Sequence, residues 1–386
     1  MIRLESIVHK FCITTSHLFA LAVSLSILVG AVTPLKAQEW LTREACDSAA
    51  IELDDDDYQT ALSKSLEFEL PGSVNGPVNG PVNGPVNGLL NGLGKLWQIQ
   101  APNGGVSHLW GSYHSSAAEI LDLPAHLRAI IDSADQVYLE KSALELTRAE
   151  IRAFNKRNRW NNVFTVRHWT RHIDPTVLGW VTERLDHWSI GVKNLPYLHA
   201  SAAAEYLLSD PCEDFNLHQF PIQDTYIEML ATHNRTPVAG LEALDALDDA
   251  GYGFWNNKLP VSIINVYGTL LAPVESARSF AVDRRVSFEL YRRGELGRMM
   301  VLNKQHVLGI LQGDKGKEHF DRAFGYLLTK RNHNFVRKMR TVLAEGGVLF
   351  VTGSFHLPGD EGLIELIRDE GYVVERVVLP GETLPQ

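Results

Sequence analysis

The 386-residue sequence contains few cysteines and lacks the short motifs of several large enzyme classes. It has three cysteines and no Cys-x-x-Cys pair, which argues against a zinc site built from thiolates. Residues 313–317 (Gly-Asp-Lys-Gly-Lys) lack the first glycine and the Ser/Thr of a phosphate-binding loop, and residues 251–253 (Gly-Tyr-Gly) lack the third glycine of a dinucleotide-binding turn. Neither Ser112 nor Ser354 lies in a Gly-x-Ser-x-Gly elbow, so neither is favoured as a nucleophile.

An excess of positive charge is also absent. The chain has 36 Lys and Arg residues against 46 Asp and Glu residues, a formal net charge of −10 at pH 7. A chain with this charge is poorly suited to bind a nucleic-acid backbone, so we expect no nucleic-acid partner. The hydrophobic content of 45% and charged content of 21% are ordinary for a globular protein with a substantial core.

The first 37 residues are typical of an export signal. Two early cations precede an apolar stretch, residues 18–32, and Leu-Lys-Ala at 35–37 is an acceptable cleavage site. We therefore expect residues 1–37 to be a cleaved signal peptide and the mature protein to be periplasmic or secreted. That segment carries three cations and one anion, so its removal takes the net charge from −10 to −12. The alternative is an uncleaved membrane anchor, because residues 11–32 are just long enough to span a bilayer.

Residues 38–94 are predicted to be an N-terminal arm followed by a linker. The arm carries an acidic run, residues 54–57, and then an amphipathic stretch. The linker is a repeat of Val-Asn-Gly-Pro over residues 74–88, where proline and glycine are too dense and apolar surface too scarce for a packed element. Cys46 and Cys212 remain after signal cleavage, and the sequence leaves open whether they pair.

The folded domain is predicted to span residues 95–386 and to belong to the α/β class, with a mixed central sheet flanked by helices. Apolar runs bounded by glycine or proline predict the strands, and apolar spacing of three to four predicts the helices. Strands are predicted at residues 96–99, 106–110, 136–140, 237–242, 347–352 and 372–379, and helical regions at 120–134, 224–233, 259–343 and 362–370. A largely helical insertion is predicted at about 143–229.

One motif occurs twice, near opposite ends of this domain. Residues 111–114 and 353–356 each read Gly-Ser-aromatic-His after an apolar run that is typical of a buried strand. Because open α/β sheets bind ligands beyond the carboxyl ends of their strands, we expect His114 and His356 to converge on one centre. Two further predicted strands end in Glu140 and Glu242, which we expect at the same edge.

Two imidazoles with carboxylates suit a divalent metal such as Zn, Mn, Co or Fe, and the donor set does not choose among them. His114, Glu140, Glu242 and His356 are therefore the predicted ligands. A bound ion lowers the pKa of water and polarises a carbonyl, and a carboxylate not fully committed to the metal can act as general base. The pattern leaves open which glutamate is ligand and which is base.

The paired Gly-x-x-His motifs with an internal glutamate resemble the TraB/GumN family, whose relatives include the Tiki proteases. The resemblance covers scattered blocks: residues 96–99 with 108–114, residues 137–140, Asp224, residues 237–242, Arg331-Asn332, and the closing block 353–362. One position departs from it, because Ala246 stands where the family usually has glutamine. The resemblance implies a metal-dependent hydrolase, peptidase-like in the Tiki branch, that acts on a peptide or other amide. With it, Arg331 is favoured as a site residue that clamps a carboxylate or stabilises an oxyanion.

Two alternatives remain at this point. The same histidines fit a non-catalytic protein that holds a metal complex or haem, and the chain also fits a degenerate family member that acts as a regulatory partner. The oligomeric state is left open by the sequence.

Overall fold

The computed structural model describes residues 43–67, 89–142, 169–187, 192–213, 221–243, 258–274 and 276–384. The predicted signal peptide, the Val-Asn-Gly-Pro repeat, Ala246 and part of the predicted insertion, including residues 143–168, lie outside them. Along the described ranges, no helix has both the length and the apolar content needed to cross a bilayer.

The described α-helices are α1 (Arg43–Cys46), α2 (Asp56–Glu67), α3 (Ala118–Leu121), α4 (Ala125–Ser133), α5 (Pro175–His187), α6 (Ala200–Leu207), α7 (Gln223–His233), α8 (Lys258–Gly268), α9 (Ala277–Arg292), α10 (Leu296–Ile310), α11 (Gly313–Phe324), α12 (Arg331–Leu343) and α13 (Leu363–Asp369). The strands are β1 (Leu96–Gln100), β2 (Val106–Ser112), β3 (Gln136–Leu139), β4 (Val238–Gly240), β5 (Val348–Gly353) and β6 (Val373–Val377).

The six strands form one mixed sheet in the order β4-β3-β5-β2-β1-β6. Strand β1 pairs antiparallel with β2 and with β6, while β4, β3, β5 and β2 are parallel neighbours. The four parallel strands therefore end at one edge of the sheet. The predicted mixed sheet flanked by helices is confirmed.

The centre of the sheet is buried on both faces because its central strands are apolar on both faces. In β5, Leu349, Phe350 and Val351 are fully buried in succession, as expected for a central parallel strand covered by helices on each side. The β1–β2 hairpin lies next to it, and its turn includes Gly104 at a positive φ of 92°. Helices α4, α9, α12 and α13 contribute to the same apolar core.

A second apolar core lies among helices alone. Helix α8 contacts α5, α6 and α11, and their facing side chains include Val177, Ala203, Ile263 and Phe320. Helices α5 and α6 come from the predicted insertion, whose described part is helical as expected. The insertion therefore builds its own core together with α8 and α11 instead of extending the sheet.

The N-terminal arm packs on the main body. Tyr58 and Leu62 of α2 are buried against α9, and Arg278 of α9 pairs with Asp55 and with Asp57, the latter at 3.0 Å. We expected the folded region to begin near residue 95. The amphipathic face of α2 buries enough apolar surface to make the arm part of the fold.

A disulfide joins Cys46 of the arm to Cys212 after α6. Beside it, the Arg284 guanidinium donates to the Cys46 carbonyl (2.8 Å), to Asp210 Oδ2 (3.1 Å) and to Ser115 Oγ (3.1 Å). These contacts link three separate parts of the chain at one buried point. The sequence had left open whether Cys46 and Cys212 pair.

Two predicted helical regions are interrupted. Residues 120–134 form the two helices α3 and α4, because Pro124 cannot continue a helix and instead caps the next one. The region 259–343 is divided into several helices, and Gly294 and Gly313 lie at two of the breaks with φ of 71° and 73°. These are left-handed conformations that glycine adopts readily.

Replacing both disulfide cysteines, Cys46→Ser with Cys212→Ser, is expected to lower the free energy of unfolding by about 2–4 kcal/mol, because the cross-link restricts the unfolded chain. Urea denaturation of the oxidised wild type and of the variant measures this difference. Reductant should destabilise the wild type and leave the variant unchanged. Equal stability of the variant and the oxidised wild type would contradict the expectation.

Candidate active site

The predicted site residues follow the four parallel strands at one sheet edge. Across that edge, Glu242, Glu140, His356 and His114 follow β4, β3, β5 and β2 in the order in which these strands lie side by side. The register aligns Leu139 with Val351. The structure thus brings all four residues to neighbouring strand ends, and Arg331 reaches them from the start of α12.

Arg331 joins the two glutamates in a buried ion cluster. Its Nη2 donates to Glu140 Oε2 at 2.5 Å and to Glu242 Oε1 at 2.6 Å. Its Nε lies 3.1 and 3.2 Å from the two oxygens of Glu242, so both of those oxygens are engaged. Lys141 Nζ lies 3.9 Å from Glu242 Oε1. Two cations therefore balance two carboxylates where little solvent enters.

This cluster fixes the charge of its members. Burial alone would raise the pKa of Glu140, but the Arg331 guanidinium and the imidazoles of His356 and His114 hold that pKa well below its usual range. Burial alone would lower the pKa of Arg331, but the two carboxylates raise it above its ordinary value. Glu140 is thus an anion at neutral pH and a weak proton acceptor.

An irregular helical segment just before α12 determines where the Arg331 side chain lies. Residues Gly325–Lys330 form a π-helical segment between α11 and α12, and such segments are rare and occur frequently at functional sites. Arg331 Nη1 donates to the carbonyl of Leu327 at 3.3 Å, which anchors the side chain to its own helix. The wider turn sets the register at which the guanidinium meets the strand ends.

His356 is held in one tautomer. Its Nδ1 lies 2.5 Å from Asn332 Oδ1, and the Asn332 amide nitrogen donates to the carbonyls of His356 and Glu361. Because the asparagine oxygen only accepts, Nδ1 carries the proton and Nε2 presents a lone pair. That Nε2 lies 3.3 Å from Glu140 Oε1 and 3.4 Å from Arg331 Nη1. Burial lowers the pKa of His356 to about 3, against the opposing charge of Glu140.

His114 faces a buried carboxylate. Its Nε2 lies 3.4 Å from Asp224 Oδ2, and 43% of its side chain is exposed. Ser112 Oγ donates to the other oxygen of Asp224 at 2.7 Å, whereas Oδ2 has no hydrogen-bond partner among the described residues. Burial raises the pKa of Asp224, against the lowering effect of His114. An orphaned carboxylate oxygen thus lies beside an accessible imidazole.

Gln223 positions Asp224 against β2. Its side-chain oxygen accepts from Trp110 Nε1 (3.1 Å), from the Tyr113 backbone N–H (3.1 Å) and from the Tyr291 hydroxyl (2.9 Å). Its amide nitrogen donates to the carbonyl of Ile120 at 2.5 Å. This buried network fixes the first turn of α7 and therefore the position of the carboxylate of Asp224, the next residue.

The two repeated glycines allow close packing at the site. A Cβ on Gly353 would lie 3.2 Å from Glu140 Oε1 and 3.4 Å from His114 Nε2, while one on Gly111 would lie 2.9 Å from Leu357 Cδ2. The backbone N–H of Gly353 also donates to Glu140 Oε1 at 2.6 Å. The repeated glycine thus lets side chains from neighbouring strand ends approach the backbone.

The sequence model of the TraB/PrgY/gumN family matches residues 95–376. The chain therefore belongs to the TraB/PrgY/gumN family. The match spans most of the chain and includes all five predicted site residues: His114, Glu140, Glu242, Arg331 and His356. No curated protein and no solved structure matches the chain significantly.

In this TraB/PrgY/gumN family member, the donor set favours some of the predicted ligands over others. His356 Nε2, His114 Nε2, Glu140 Oε1 and the orphaned Asp224 Oδ2 are chemically suited to a divalent ion. A metal-binding imidazole usually donates its other ring N–H to an acceptor, and the Asn332 side-chain oxygen provides that acceptor for His356. Glu242 fits less well, because Arg331 engages both of its oxygens. Across the described ranges, no three His, Cys, Asp or Glu side chains already surround one position.

Three residues at the site were not assigned a role from the residue pattern. Asp224 entered only through the family resemblance, since a carboxylate inside a helix carries no distinctive local signal. Asn332 was named only as part of the Arg-Asn pair. Tyr267 on α8 was not noticed, and it lines the cavity beside the ion cluster. Its position depends on how the helical core packs over the sheet.

The neutral, buried state of His356 predicts how stability depends on pH. An unperturbed histidine titrates near 6.5, whereas His356 titrates at about 3 in the folded protein. Between these values the unfolded chain binds a proton that the folded chain does not, so the free energy of unfolding decreases as pH falls. The contribution of the neutral His356 to the free energy of unfolding is complete above pH 6.5 and is lost progressively as the pH falls towards 3.

His356→Gln is expected to reduce this pH dependence by roughly 1–2 kcal/mol between about pH 6.5 and pH 4.5. Urea denaturation across this range, with chelator present, measures the difference from wild type. The exposed residue His126, changed to Gln, is the matched control and should keep the wild-type slope. An unchanged slope in the His356 variant would argue against a neutral buried imidazole.

Proposed function

We propose that the protein is an exported metal-dependent hydrolase that cleaves amide bonds in peptides or related substrates. The main support is geometric: two Gly-x-x-His turns and the ionised Glu140 lie at the same carboxyl edge of four neighbouring parallel strands. His356 Nε2 and Glu140 Oε1, 3.3 Å apart, are both acceptors in the assigned tautomer. A cation between such atoms removes their mutual repulsion.

In this proposal His114, His356 and Glu140 hold the divalent ion, which when bound lowers the pKa of a water and polarises the substrate carbonyl. Glu140 suits a ligand role because its pKa lies far below neutrality and it therefore stays anionic. Asn332 keeps His356 in the tautomer that presents Nε2 to the site.

Asp224 is the proposed general base. Its Oδ2 has no described hydrogen-bond partner, its pKa is raised by burial, and Ser112 orients the carboxyl group. A base works best when its pKa approaches the working pH, which disfavours Glu140. The sequence had assigned the base to Glu140 or Glu242. We now assign Glu242 to hold Arg331 in place.

Arg331 is the proposed electrostatic helper. Its guanidinium is permanently charged, buried and aimed at the strand ends, where negative charge develops on a carbonyl oxygen during attack by water. The N–H groups of Arg331 are engaged by described partners, so it acts through its fixed positive charge, which stabilises such negative charge without reorganisation. The ion pairs with Glu140 and Glu242 provide that fixed orientation.

Export is supported by the cross-link. Disulfides persist in oxidising compartments and are rare in reducing ones, and Cys46 is joined to Cys212. Together with the charged and apolar pattern of residues 1–37, this favours a periplasmic or secreted protein.

Elemental analysis of protein purified without chelator tests the proposal. We expect close to one divalent ion per chain in the wild type and little in the double variant His114→Ala/His356→Ala. The exposed pair His126→Ala/His233→Ala is the matched control and should keep its metal. Cleavage of a quenched-peptide pool should disappear with chelator and return with Mn²⁺, Co²⁺ or Zn²⁺. A wild type that binds no divalent ion under any loading condition rules the proposal out.

The role of Asp224 gives a separate prediction. Asp224→Asn keeps the acceptor for Ser112 but removes the base, so kcat should fall about 10²–10⁴-fold while metal content is retained. Steady-state kinetics on a cleaved peptide measures the effect, with the exposed Asp122→Asn as control. A kcat within a few-fold of wild type in Asp224→Asn would move the base to another residue.

A further inference from the structure

The cavity beside the ion cluster has chemically different sides. It measures about 560 Å³, which is within the usual range for small-ligand pockets. The sheet side presents the polar residues of the site, and a further part of the lining consists of residues 207–211 and Arg184. The helical side is formed by α8, the turn after it, α10 and the segment that precedes Arg331. Nine lining residues come from these helical parts: Val266, Tyr267, Leu270, Met299, Asn303, Val307, Phe324, Leu327 and Leu328.

None of these nine residues carries a charge, and seven are purely apolar. Met299, Asn303 and Val307 are spaced four apart on α10, so one face of that helix lines the cavity. Leu270 stands in the turn after α8 and is 37% exposed, so its side chain is accessible from the cavity that it lines. An apolar wall that stays open beside reactive groups is suited to bind an apolar group.

The apolar side adjoins the reacting centre. Leu327 lies one helical turn before Arg331 and accepts a hydrogen bond from its guanidinium. Tyr267 of α8 lines the same cavity as Arg331 and Glu140. A substrate side chain bound on the helical side therefore belongs to a residue next to the amide bond that is cleaved.

We propose that this helical side is a specificity pocket for a large aliphatic or aromatic side chain flanking the scissile amide. The inference rests on the proposed hydrolase function and names its substrate class, which is peptides with an apolar residue at the cleavage site. None of the nine residues of the helical side offers a counter-ion to a charged substrate side chain, which would lose its hydration there. The side-chain amide of Asn303, which makes no hydrogen bond to another described residue, supplies a donor and an acceptor for the substrate backbone.

Peptide cleavage tests the pocket in the metal-loaded protein. A quenched-peptide library that varies each position should show kcat/KM about tenfold or more higher for Leu or Phe than for Asp at one position flanking the cleavage site. Leu270→Glu should abolish this preference. Val373→Glu is the matched control, because Val373 is 53% exposed and lies at the opposite end of the sheet, and this variant should keep the preference. Cleavage without any apolar preference overturns the inference and leaves the hydrolase proposal standing.

A binding measurement decides the inference even if no peptide is cleaved. Saturation-transfer NMR with N-acetyl-leucinamide and N-acetyl-asparaginamide compares one apolar and one polar probe on the same protein. We expect the leucine probe to bind the wild type about tenfold more tightly, and this advantage to vanish in Leu270→Glu but not in Val373→Glu. Equal affinity of the two probes for the wild type overturns the proposal without any variant.

Discussion

The pairing of Arg331 with Glu140 and Glu242 is the interaction on which the rest of the site depends. Buried charges are costly unless they are paired, and removal of one partner leaves the others unpaired, which typically costs about 3–5 kcal/mol. Glu140 is the central member. Its Oε2 accepts from Arg331 and its Oε1 from Gly353, so one side chain links β3, β5 and α12. Strand order, helix register and the position of His356 are therefore coupled through this carboxylate.

The network around this cluster makes the site rigid on its sheet side. Through four hydrogen bonds, Gln223 ties the first turn of α7 to β2, to the residue after β2, to α3 and to α9. Asn332 fixes His356 while it donates to two backbone carbonyls. Side chains held in this way keep their geometry without help from substrate. Two buried side-chain oxygens near the strand ends, Asp224 Oδ2 and Thr352 Oγ1, have no hydrogen-bond partner among the described residues. A buried polar atom without a partner calls for an explanation, and for Asp224 the proposed role as general base supplies one.

Much of this architecture could be predicted from the sequence because it depends on local patterns. Apolar runs that end in glycine predicted β2 and β5, and the parallel order of four strands follows once helices separate them. Contacts between distant side chains could not be predicted in this way. The engagement of both oxygens of Glu242 by Arg331, for example, depends on the π-helical register before α12, which has no local sequence signal. Helix α2 was likewise expected outside the folded domain, since its amphipathic face alone does not identify the surface that it covers.

The site lies between two cores that contribute different properties. The sheet core supplies the imidazoles and carboxylates, whereas the helical core supplies an uncharged wall on the other side of the same cavity. Residues 207–211 line this cavity, and the disulfide at Cys212 with the contacts of Arg284 attaches the same segment to the arm. Most of the apolar wall packs in the helical core, with Met299 of the sheet core as an exception, so substitutions in that wall are expected to change which side chain the proposed pocket accepts and to leave the ion cluster in place. In the proposed hydrolase, such a division would let one reactive centre serve different substrates, in agreement with the general separation of fold from function.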